Sequence, residues 1–285
     1  MSPFLSILIV NYNGAHFISA CIDSILNATI RYPYEIIVLD NDSKDESINA
    51  LQPYTDKLTL IKSPDNLGFS KGNNKAASYA KGSHLLLLNN DTVLDPNALQ
   101  HLLDFYLNTP DAGAITPRLL NEDGSIQIQG SSLGAFRFKS NKTRSVPFIC
   151  GACLLISHEL YKSIGGLDEN VFFYNEDIIL CKAVQKRGKK LYHVPTATVI
   201  HFGGLSTKTR KMKSIIEGYR GSLYISRKFY PLPIHYLFRI LLLVDLFPKL
   251  IFYGLFSLIN RKKLEQLKAY MIILKINATG EFPKP

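Results

Sequence analysis

The chain has 285 residues, of which 46% are hydrophobic and 20% are charged. This composition excludes extended disorder, and the length suffices for one large hydrophobic core or two smaller ones. The net charge of +10 indicates a polyanionic or membrane-surface partner, although a basic surface maintained for solubility would give the same balance.

The four cysteines are too few for a disulfide framework. Cys150 and Cys153 form a C-x-x-C pair, but no second pair accompanies it and its flanks are apolar. Since a zinc site would need two more ligands nearby, we interpret the cysteines as buried small residues in a reducing compartment. The short apolar run at residues 7–10 follows no basic segment, so we expect a first strand, no signal peptide and a cytoplasmic protein.

The first hundred residues alternate between predicted strands and helices. Apolar, β-branched runs predict strands at residues 5–12, 35–39, 58–62 and 84–88. Helical spacing predicts helices at residues 17–26 and 71–80. Such an alternation is typical of a parallel sheet covered by helices on both faces. Because right-handed crossovers bring the carboxyl ends of these strands to one edge, we expect ligands to bind there.

Polar residues follow each of these four strands. The strand ends are residues 11–14 (Asn-Tyr-Asn-Gly), 40–43 (Asp-Asn-Asp-Ser), 65–69 (Asp-Asn-Leu-Gly-Phe) and 89–92 (Asn-Asn-Asp-Thr). Each end also has a structural explanation, since Asn, Asp and Ser cap helices and form turns; for Ser43 and Asp45, capping explains the residue as well as ligand binding does. Four polar ends at one sheet edge nevertheless indicate a ligand site.

The alternation becomes less regular after Asp91. We predict helices at residues 99–107, 159–164 and 176–186. Strands are predicted at residues 112–116, 149–156, 190–193 and 198–201, with a turn at 121–124 and a basic loop at 138–145.

Residues 234–259 are mostly apolar or aromatic, but charged residues and Pro248 interrupt them. The uncharged stretches are shorter than the ~20 residues that a bilayer span takes. Basic, aromatic-rich flanks suit a helix that lies at a membrane interface. A helical appendage packed on the core or on a second subunit would have the same composition.

Several side chains could hold a nucleoside diphosphate and a divalent cation. A cation with oxygen ligands would stabilise the diphosphate charge, and Asp91 and Asn89 lie on the same face of an extended strand end. Asp91 could instead cap a following helix, although Thr92 or Asp95 could replace it there. His201 is a further candidate ligand, but a lone histidine is usually structural.

The preceding strand ends could bind the nucleoside. Tyr12 could stack on a base, Asp40 could accept a hydrogen bond from a pyrimidine imide, and Asp42 could reach the ribose. The residues that line the next loop and helix start are Asn66, Gly68, Lys71 and Asn73. Lys71 could offset phosphate charge or be an ordinary surface lysine.

Glu176 and Asp177 begin a predicted helix after an aromatic run at residues 172–174. A carboxylate here could accept the proton of an attacking hydroxyl group. The helix dipole also favours acidic residues at a helix start, which explains either residue singly but explains the pair less well.

Eight of these segments, taken in order, resemble the family-2 glycosyltransferases of the GT-A fold, and within them a bacterial rhamnosyltransferase-like branch. The segments are residues 6–14, 38–43, 66–69 with 72–74, 87–92, 151–152, 165–168, 173–177 and 201–204. The resemblance implies an α/β fold with a Rossmann-like, mainly parallel sheet and helices on both faces. The resemblance covers roughly residues 4–206. We assign residues 1–230 to the GT-A domain, with a nucleotide-binding half (1–95) and an acceptor half (96–230), and residues 231–285 to an apolar, basic helical extension.

The resemblance also implies a role for each matching residue. Tyr12, Asp40 and Asp42 would hold the nucleoside. Asn89 and Asp91 stand where the family has its metal-binding D-x-D, with Asn in place of the first Asp. The remaining roles would be a further metal or diphosphate contact at His201, the catalytic base at Asp177, the acceptor contact at Glu176 and the donor-sugar contacts at Gly151 and Ala152. Relatives often carry an acidic residue two positions after the base, where this chain has Ile179.

The implied enzyme is an inverting, Mn²⁺- or Mg²⁺-dependent glycosyltransferase acting on a sugar nucleotide such as dTDP-rhamnose or a UDP-sugar. The acceptor would be a saccharide, lipid-linked and at the inner face of the plasma membrane, in cell-surface polysaccharide synthesis; a homo-oligomer is compatible with this reading. A catalytically inactive scaffold is an alternative, but it would need no acidic pair at 176–177. A nucleotidyltransferase would want a basic, glycine-rich loop after the first strand, and nucleic-acid binding lacks any supporting motif.

Overall fold

The computed structural model describes residues 2–129, 135–172, 174–203, 211–257 and 260–280. Of the sequence motifs, Phe173 and Gly204 lie outside the described residues, as do residues 258–259 and 281–285 of the predicted extension. The chain divides into two compact units. The sheet unit comprises Met1–Glu169 and Asp177–Gly203, and the helical unit comprises Asn170–Glu176 and Gly204–Pro285. The division of residues 1–230 into nucleotide and acceptor halves stays a prediction.

The strands are β1 (Leu5–Asn11), β2 (Tyr34–Asp40), β3 (Thr59–Lys62), β4 (His84–Asn89), β5 (Thr92–Leu94), β6 (Ala112–Leu120), β7 (Arg144–Val146), β8 (Cys153–Ser157) and β9 (Lys190–His201). The helices up to residue 186 are α1 (Ile18–Leu26), α2 (Ser47–Leu51), α3 (Gly68–Ala77), α4 (Ala98–Leu107), α5 (Ala135–Lys139), α6 (His158–Ser163) and α7 (Glu176–Lys186).

The strands form one sheet in the order β3-β2-β1-β4-β8-β6-β9-β5, and β7 pairs with β9. The first four strands are parallel, as the sequence predicts, whereas β8 runs antiparallel to both β4 and β6. Within β1, Ile7 and Ile9 pack into the hydrophobic cluster that contains α1 and α4, whereas Leu8 packs into the cluster that contains α3, α6 and α7. The sheet is therefore covered on both faces, which is why the central residues of β1, β2 and β4 are apolar.

Three predictions near the site differ from the structure, and the strand predicted at 149–156 begins only at Cys153. The two short strands at 190–193 and 198–201 form the single strand β9, because its pairing with β6 continues across an irregularity at Pro117. The loop predicted at 138–145 contains the end of α5 and the start of β7. Asp91 is followed by β5, not by a helix, and α4 begins only at Ala98. The helix-cap interpretation of Asp91 is therefore wrong.

The helical unit contains α8 (Lys211–Phe229), α9 (Leu232–Ser257) and α10 (Arg261–Thr279). Its core includes Leu223 of α8, Leu246 of α9 and Ile273 of α10. Much of α9 remains exposed: in its most apolar window only 11% of residues are buried. Among the described residues, α9 alone is long and apolar enough to cross a bilayer, although buried helices of soluble proteins also meet that criterion.

Candidate active site

The carboxyl ends of β1, β2 and β4 are joined by the buried side chain of Asn11, which lies opposite Asp40 in the strand register. Its Nδ2 donates hydrogen bonds to Asp40 Oδ1 (3.2 Å) and Ser43 Oγ (3.2 Å). Its Oδ1 accepts a hydrogen bond from Asn90 Nδ2 (2.7 Å). One amide therefore fixes the first, second and fourth polar strand ends relative to one another.

Asn41 connects the second strand end to the third. Its Oδ1 accepts a hydrogen bond from the backbone nitrogen of Leu67 (2.8 Å). Its Nδ2 donates to Gly68 O (3.0 Å) and Asn66 Oδ1 (3.2 Å). Gly68 has a φ of +76°, a conformation that favours glycine at this turn into α3. Asn66 and Gly68 thus lie at the same sheet edge as Asp40, as predicted.

The loop after β1 is held by side chains of the loop after β2. Ser43 Oγ accepts a hydrogen bond from the backbone nitrogen of Asn13 (3.0 Å), and Ser47 Oγ accepts one from Gly14 (3.1 Å). Asp45 accepts from the backbone nitrogen of Ala15 (3.0 Å). A Cβ atom at Gly14 would lie 2.0 Å from Asn90 Nδ2, so a larger residue here would displace the Asn90 side chain. Ser43 and Asp45 therefore brace the loop after β1, a structural role different from the helix capping considered for them.

The other predicted nucleoside residues differ in their surroundings. Asp40 is almost fully buried and also accepts a hydrogen bond from the backbone nitrogen of Ser43 (3.2 Å). Asp42 has a φ of +66° and forms an ion pair with Lys44. Asn73 is buried and donates to the carbonyl oxygen of Phe69 within its own helix (3.0 Å). Tyr12 is partly exposed and Lys71 is exposed.

The three predicted metal ligands do lie together. The pairing of β5 with β9 places Thr92 opposite His201, so that the residue before β5 faces the end of β9. His201 Nε2 lies 3.3 Å from Asp91 Oδ1 and 3.3 Å from Asn89 Nδ2. A neutral imidazole nitrogen and a carboxylate oxygen are both ligands that divalent cations accept in proteins. The pair therefore has the chemistry of a cation site.

Among the described residues, no group of three or more His, Cys, Asp or Glu side chains could enclose a metal ion. Asp91 and His201 would thus be two protein ligands, leaving the remaining coordination positions for other oxygens. This arrangement fits the usual mode of Mg²⁺ and Mn²⁺ sites that handle phosphates, in which one or two carboxylates act with substrate oxygens.

Asp177 lies against the junction of β4 and β8. The carbonyl oxygen of Ala152 accepts a hydrogen bond from the backbone nitrogen of Asn89 (2.9 Å). A Cβ atom at the neighbouring Gly151 would lie 3.4 Å from the Phe69 ring and 4.0 Å from Asp177 Cβ. The predicted donor-sugar residues therefore connect the predicted base to the end of β4.

Burial raises the pKa of Asp177 to about 6, although backbone hydrogen bonds from Ile178 and Gly151 favour the ionised form and oppose part of this increase. A carboxyl group with this pKa is largely ionised at neutral pH and yet remains a useful proton acceptor. Glu176 is also buried. The two residues before it, Tyr174 and Asn175, have φ values of +67° and +69°, a strained conformation that is common at functional sites.

Four residues at this edge were missed by sequence reasoning: Asn11, Asn41, Asn90 and Gln127. The three asparagines lie inside the polar strand ends, so a signal was present but did not distinguish residues that brace the edge from residues that could bind a ligand. Gln127 has no such signal. Its Oε1 lies 2.7 Å from His201 Nδ1, across 74 residues of sequence.

GT-A glycosyltransferases have a sheet whose N-terminal strands are parallel and end in polar residues, and whose remaining strands run in mixed directions. Mannosyltransferase PcManGT from Pyrobaculum calidifontis, solved with GDP-Man and Mn²⁺, superposes with a TM-score of 0.61 at 15% identity, over 99% of this chain and 88% of that one. GalNAc-T7, solved with UDP, GalNAc and Mn²⁺, superposes with a TM-score of 0.57 at 18% identity, over 70% of this chain and 43% of that one. These similarities confirm the predicted fold.

Residues 6–165, more than half of the chain, match the family model "Glycosyl transferase family 2". The protein belongs to this family and is a glycosyltransferase, as the sequence motifs imply. N-acetylglucosaminyl-diphospho-decaprenol L-rhamnosyltransferase of Mycobacterium tuberculosis is 26% identical over 260 residues, covering 79% of this chain and 84% of that protein. Low-salt glycan biosynthesis hexosyltransferase Agl10 of Haloferax volcanii is 28% identical over 214 residues, covering 69% and 66%.

Proposed function

We propose that the protein is an inverting glycosyltransferase that moves a sugar from dTDP-rhamnose or a UDP-sugar to a saccharide carried on a lipid. The observation that carries this proposal is the arrangement of two acidic centres around the end of β4: the Asp91–His201 pair and the buried carboxyl group of Asp177. The relative from M. tuberculosis, named for rhamnose transfer to a diphospho-decaprenol acceptor, supports the choice of donor and acceptor.

The nucleoside would bind at the ends of β1 and β2. Each oxygen of the Asp40 carboxylate already accepts one hydrogen bond, from Asn11 or from the backbone of Ser43. Each carboxylate oxygen can accept a second hydrogen bond, so Asp40 retains the capacity to accept the imide N–H of a pyrimidine. Tyr12 would stack on the base and Asp42 would contact the ribose. Along the loop into α3, Asn66, Gly68, Lys71 and Asn73 would form the remainder of the nucleotide surface.

Asp91 and His201 would hold a divalent cation, Mn²⁺ or Mg²⁺, with Asn89 as a weaker partner. When bound, this cation supplies positive charge to the diphosphate as it departs. The side chains of Asp91 and His201 are each less than one-fifth exposed, so that their interaction with a charged group is weakly screened by water.

Asp177 would act as the base. The acceptor hydroxyl attacks the anomeric carbon opposite the diphosphate, and its proton passes to the Asp177 carboxylate as the new C–O bond forms. The bond from the anomeric carbon to the diphosphate oxygen breaks, and its electron pair leaves with the diphosphate. Because the hydroxyl attacks from the opposite side, the anomeric centre is inverted. Glu176 would bind the acceptor, and Gly151 and Ala152 would lie against the donor sugar, where small residues leave space for it.

A donor screen tests this proposal. Purified protein is incubated with washed membranes as acceptor source and with each labelled sugar nucleotide, with and without EDTA. We expect label to enter the lipid fraction with one donor, EDTA to prevent the transfer, and Mn²⁺ or Mg²⁺ to restore it. The Asp177→Asn variant is the matched control and should be inactive with every donor. Transfer by this variant would exclude Asp177 as the base, and EDTA-resistant transfer would exclude the metal role.

We also infer that the helical unit contacts the inner face of the membrane. On α9, apolar side chains such as Val244, Phe247 and Leu255 are each about two-thirds exposed. Basic residues of α8 and α10 flank it, among them Arg227 and Arg261. Exposed apolar surface with basic flanks is typical of interfacial helices.

Vesicle binding tests the membrane contact. Phe247→Ser combined with Leu255→Ser should reduce sedimentation with anionic vesicles, whereas Tyr79→Ser, at an exposed aromatic residue of the sheet unit, should leave it unchanged. Extraction by alkaline carbonate would support a peripheral helix, and release by detergent alone would show that α9 spans the bilayer.

A further inference from the structure

Gln127 contacts the candidate metal ligand His201 at two points. It follows the turn at residues 121–124, and its backbone nitrogen donates to the carbonyl oxygen of Leu119 (2.8 Å). Its Oε1 lies 2.7 Å from His201 Nδ1, and its Nε2 lies 3.3 Å from the backbone oxygen of the same histidine. The proposed reaction gives Gln127 no role of its own.

The orientation of the Gln127 amide follows from its neighbours. A backbone oxygen only accepts hydrogen bonds, so the amide atom that faces His201 O is the donor Nε2. Nε2 also donates to Asn121 Oδ1 (3.0 Å). The other amide atom, Oε1, must therefore face His201 Nδ1. Because Oε1 only accepts, Nδ1 carries the hydrogen.

This orientation decides the tautomer of His201. A neutral imidazole with its hydrogen on Nδ1 has its lone pair on Nε2. Nε2 is the ring nitrogen that lies 3.3 Å from Asp91 Oδ1. It also lies 3.3 Å from Asn89 Nδ2, which can donate to the lone pair. The lone pair on Nε2 is thus directed toward Asp91, the second candidate ligand.

The Gln127 amide is itself held by a chain of hydrogen bonds that all run in the same direction. Asn121 Nδ2 donates to Ser125 Oγ (2.9 Å), and Ser125 Oγ donates to Asp123 Oδ1 (2.6 Å). The chain ends at a carboxylate, an acceptor without hydrogens of its own. Hydrogen bonds aligned in this way polarise and strengthen one another, and a reversed Gln127 amide would break the alignment.

We propose that Gln127 is a positioning residue, which holds His201 as the Nδ1–H tautomer and thereby presents Nε2 to the divalent cation. This inference rests on the proposed function, because it concerns the metal ligand assigned there. A purely structural Gln127 would tie the segment after the turn to β9 without influencing the tautomer. The tautomer and the affinity for metal alone therefore distinguish the two roles.

Nitrogen-15 NMR of the histidine side chains tests the tautomer in the full-length, metal-free protein at about pH 8, where ring-nitrogen shifts and two-bond couplings separate Nδ1–H from Nε2–H. His201→Gln identifies the signal. We expect Nδ1–H in the wild type and a mixture containing Nε2–H in Gln127→Met, which removes the acceptor at similar volume. Gln127→Glu keeps an acceptor and should retain Nδ1–H. An Nε2–H wild type, or a Gln127→Met spectrum unchanged from the wild type, would overturn the proposal.

Calorimetric titration with Mn²⁺ alone measures the second consequence. Loss of a residue that orients a metal ligand typically weakens metal affinity about 10- to 100-fold, and we expect a loss in this range for Gln127→Met but near-recovery for Gln127→Glu. Gln52→Met, at an exposed glutamine of the sheet unit, is the matched control and should bind Mn²⁺ like the wild type.

The two possible failures appear in different measurements. A wild type that binds no Mn²⁺, either alone or with UDP or dTDP present, overturns the metal assignment of the proposed function, whatever the tautomer. A wild type that binds Mn²⁺ with an affinity unaffected by Gln127→Met overturns the positioning role and leaves the proposed function intact. If Gln127→Met does not fold, an Nε2–H wild type, or a Gln127→Glu variant that loses Mn²⁺ affinity, would still overturn the proposal.

Discussion

Replacing Asp177 with asparagine should stabilise the protein at neutral pH while abolishing transfer. Burial raises the pKa of this carboxyl group from 3.8 to about 6. The unfolded chain, with the ordinary pKa, releases its proton first as the pH rises, so folding stability falls through this window. The difference of about two between the pKa values corresponds to a penalty of about 3 kcal/mol once both states are ionised. Asparagine carries no charge to bury and so avoids that penalty.

Urea unfolding of wild type and Asp177→Asn measures the effect at two pH values. The linkage relation gives a gain for the variant of about 3 kcal/mol near pH 7.5 and about 1 kcal/mol near pH 4.5. Asp111→Asn is a control of opposite sign, because hydrogen bonding and charge pairing with Lys190 hold the pKa of the exposed Asp111 below its usual value. A variant at Asp177 that is no more stable than the wild type, or equally stabilised at both pH values, would refute the argument.

Three further outcomes follow from the site. The rate of transfer should fall about tenfold for each pH unit below an apparent pKa of about 6, because Asp177 must be ionised to accept a proton; a pH-independent rate between pH 4.5 and 7.5 would contradict this. Asp91→Ala should weaken Mn²⁺-dependent binding of UDP or dTDP in calorimetry, whereas Asp177→Asn should bind as the wild type; equal affinities for all three proteins would argue against the metal role of Asp91. Gly14→Ala should lose about 1–3 kcal/mol of stability, since its new methyl group collides with Asn90; an unchanged unfolding midpoint would show that the loop adapts.

The N-terminal half of the fold could be predicted from sequence because its determinants are local. The central residues of β1, β2 and β4 form apolar runs, and the polar end of each strand is adjacent to it in sequence, so both the parallel sheet and its ligand edge follow. The interpretation of the cysteines as buried residues is confirmed for Cys153, where burial raises the pKa of the thiol. Cys150, by contrast, is partly exposed.

The remainder depends on contacts between distant residues. β5 has three residues and is a strand because it pairs with β9, so no local sequence pattern near Asp91 predicts it. The meeting of Gln127 with His201 likewise requires the turn at residues 121–124 and the pairing of β6 with β9. Where two distant residues meet in the fold, the sequence pointed to both of them only when the family resemblance assigned a role to each.

The loop after β1 has a consequence for the chemical ageing of the protein. Asn13 precedes Gly14, and an Asn-Gly pair is prone to deamidation, because a glycine offers no side chain to hinder attack of its backbone nitrogen on the asparagine amide. Here that nitrogen donates to Ser47 Oγ, and the Asn13 Oδ1 accepts from the backbone of Lys44. The hydrogen bonds that shape the sheet edge therefore also hold the attacking nitrogen and its target in place, so the folded enzyme should resist a decay to which its unfolded chain is open.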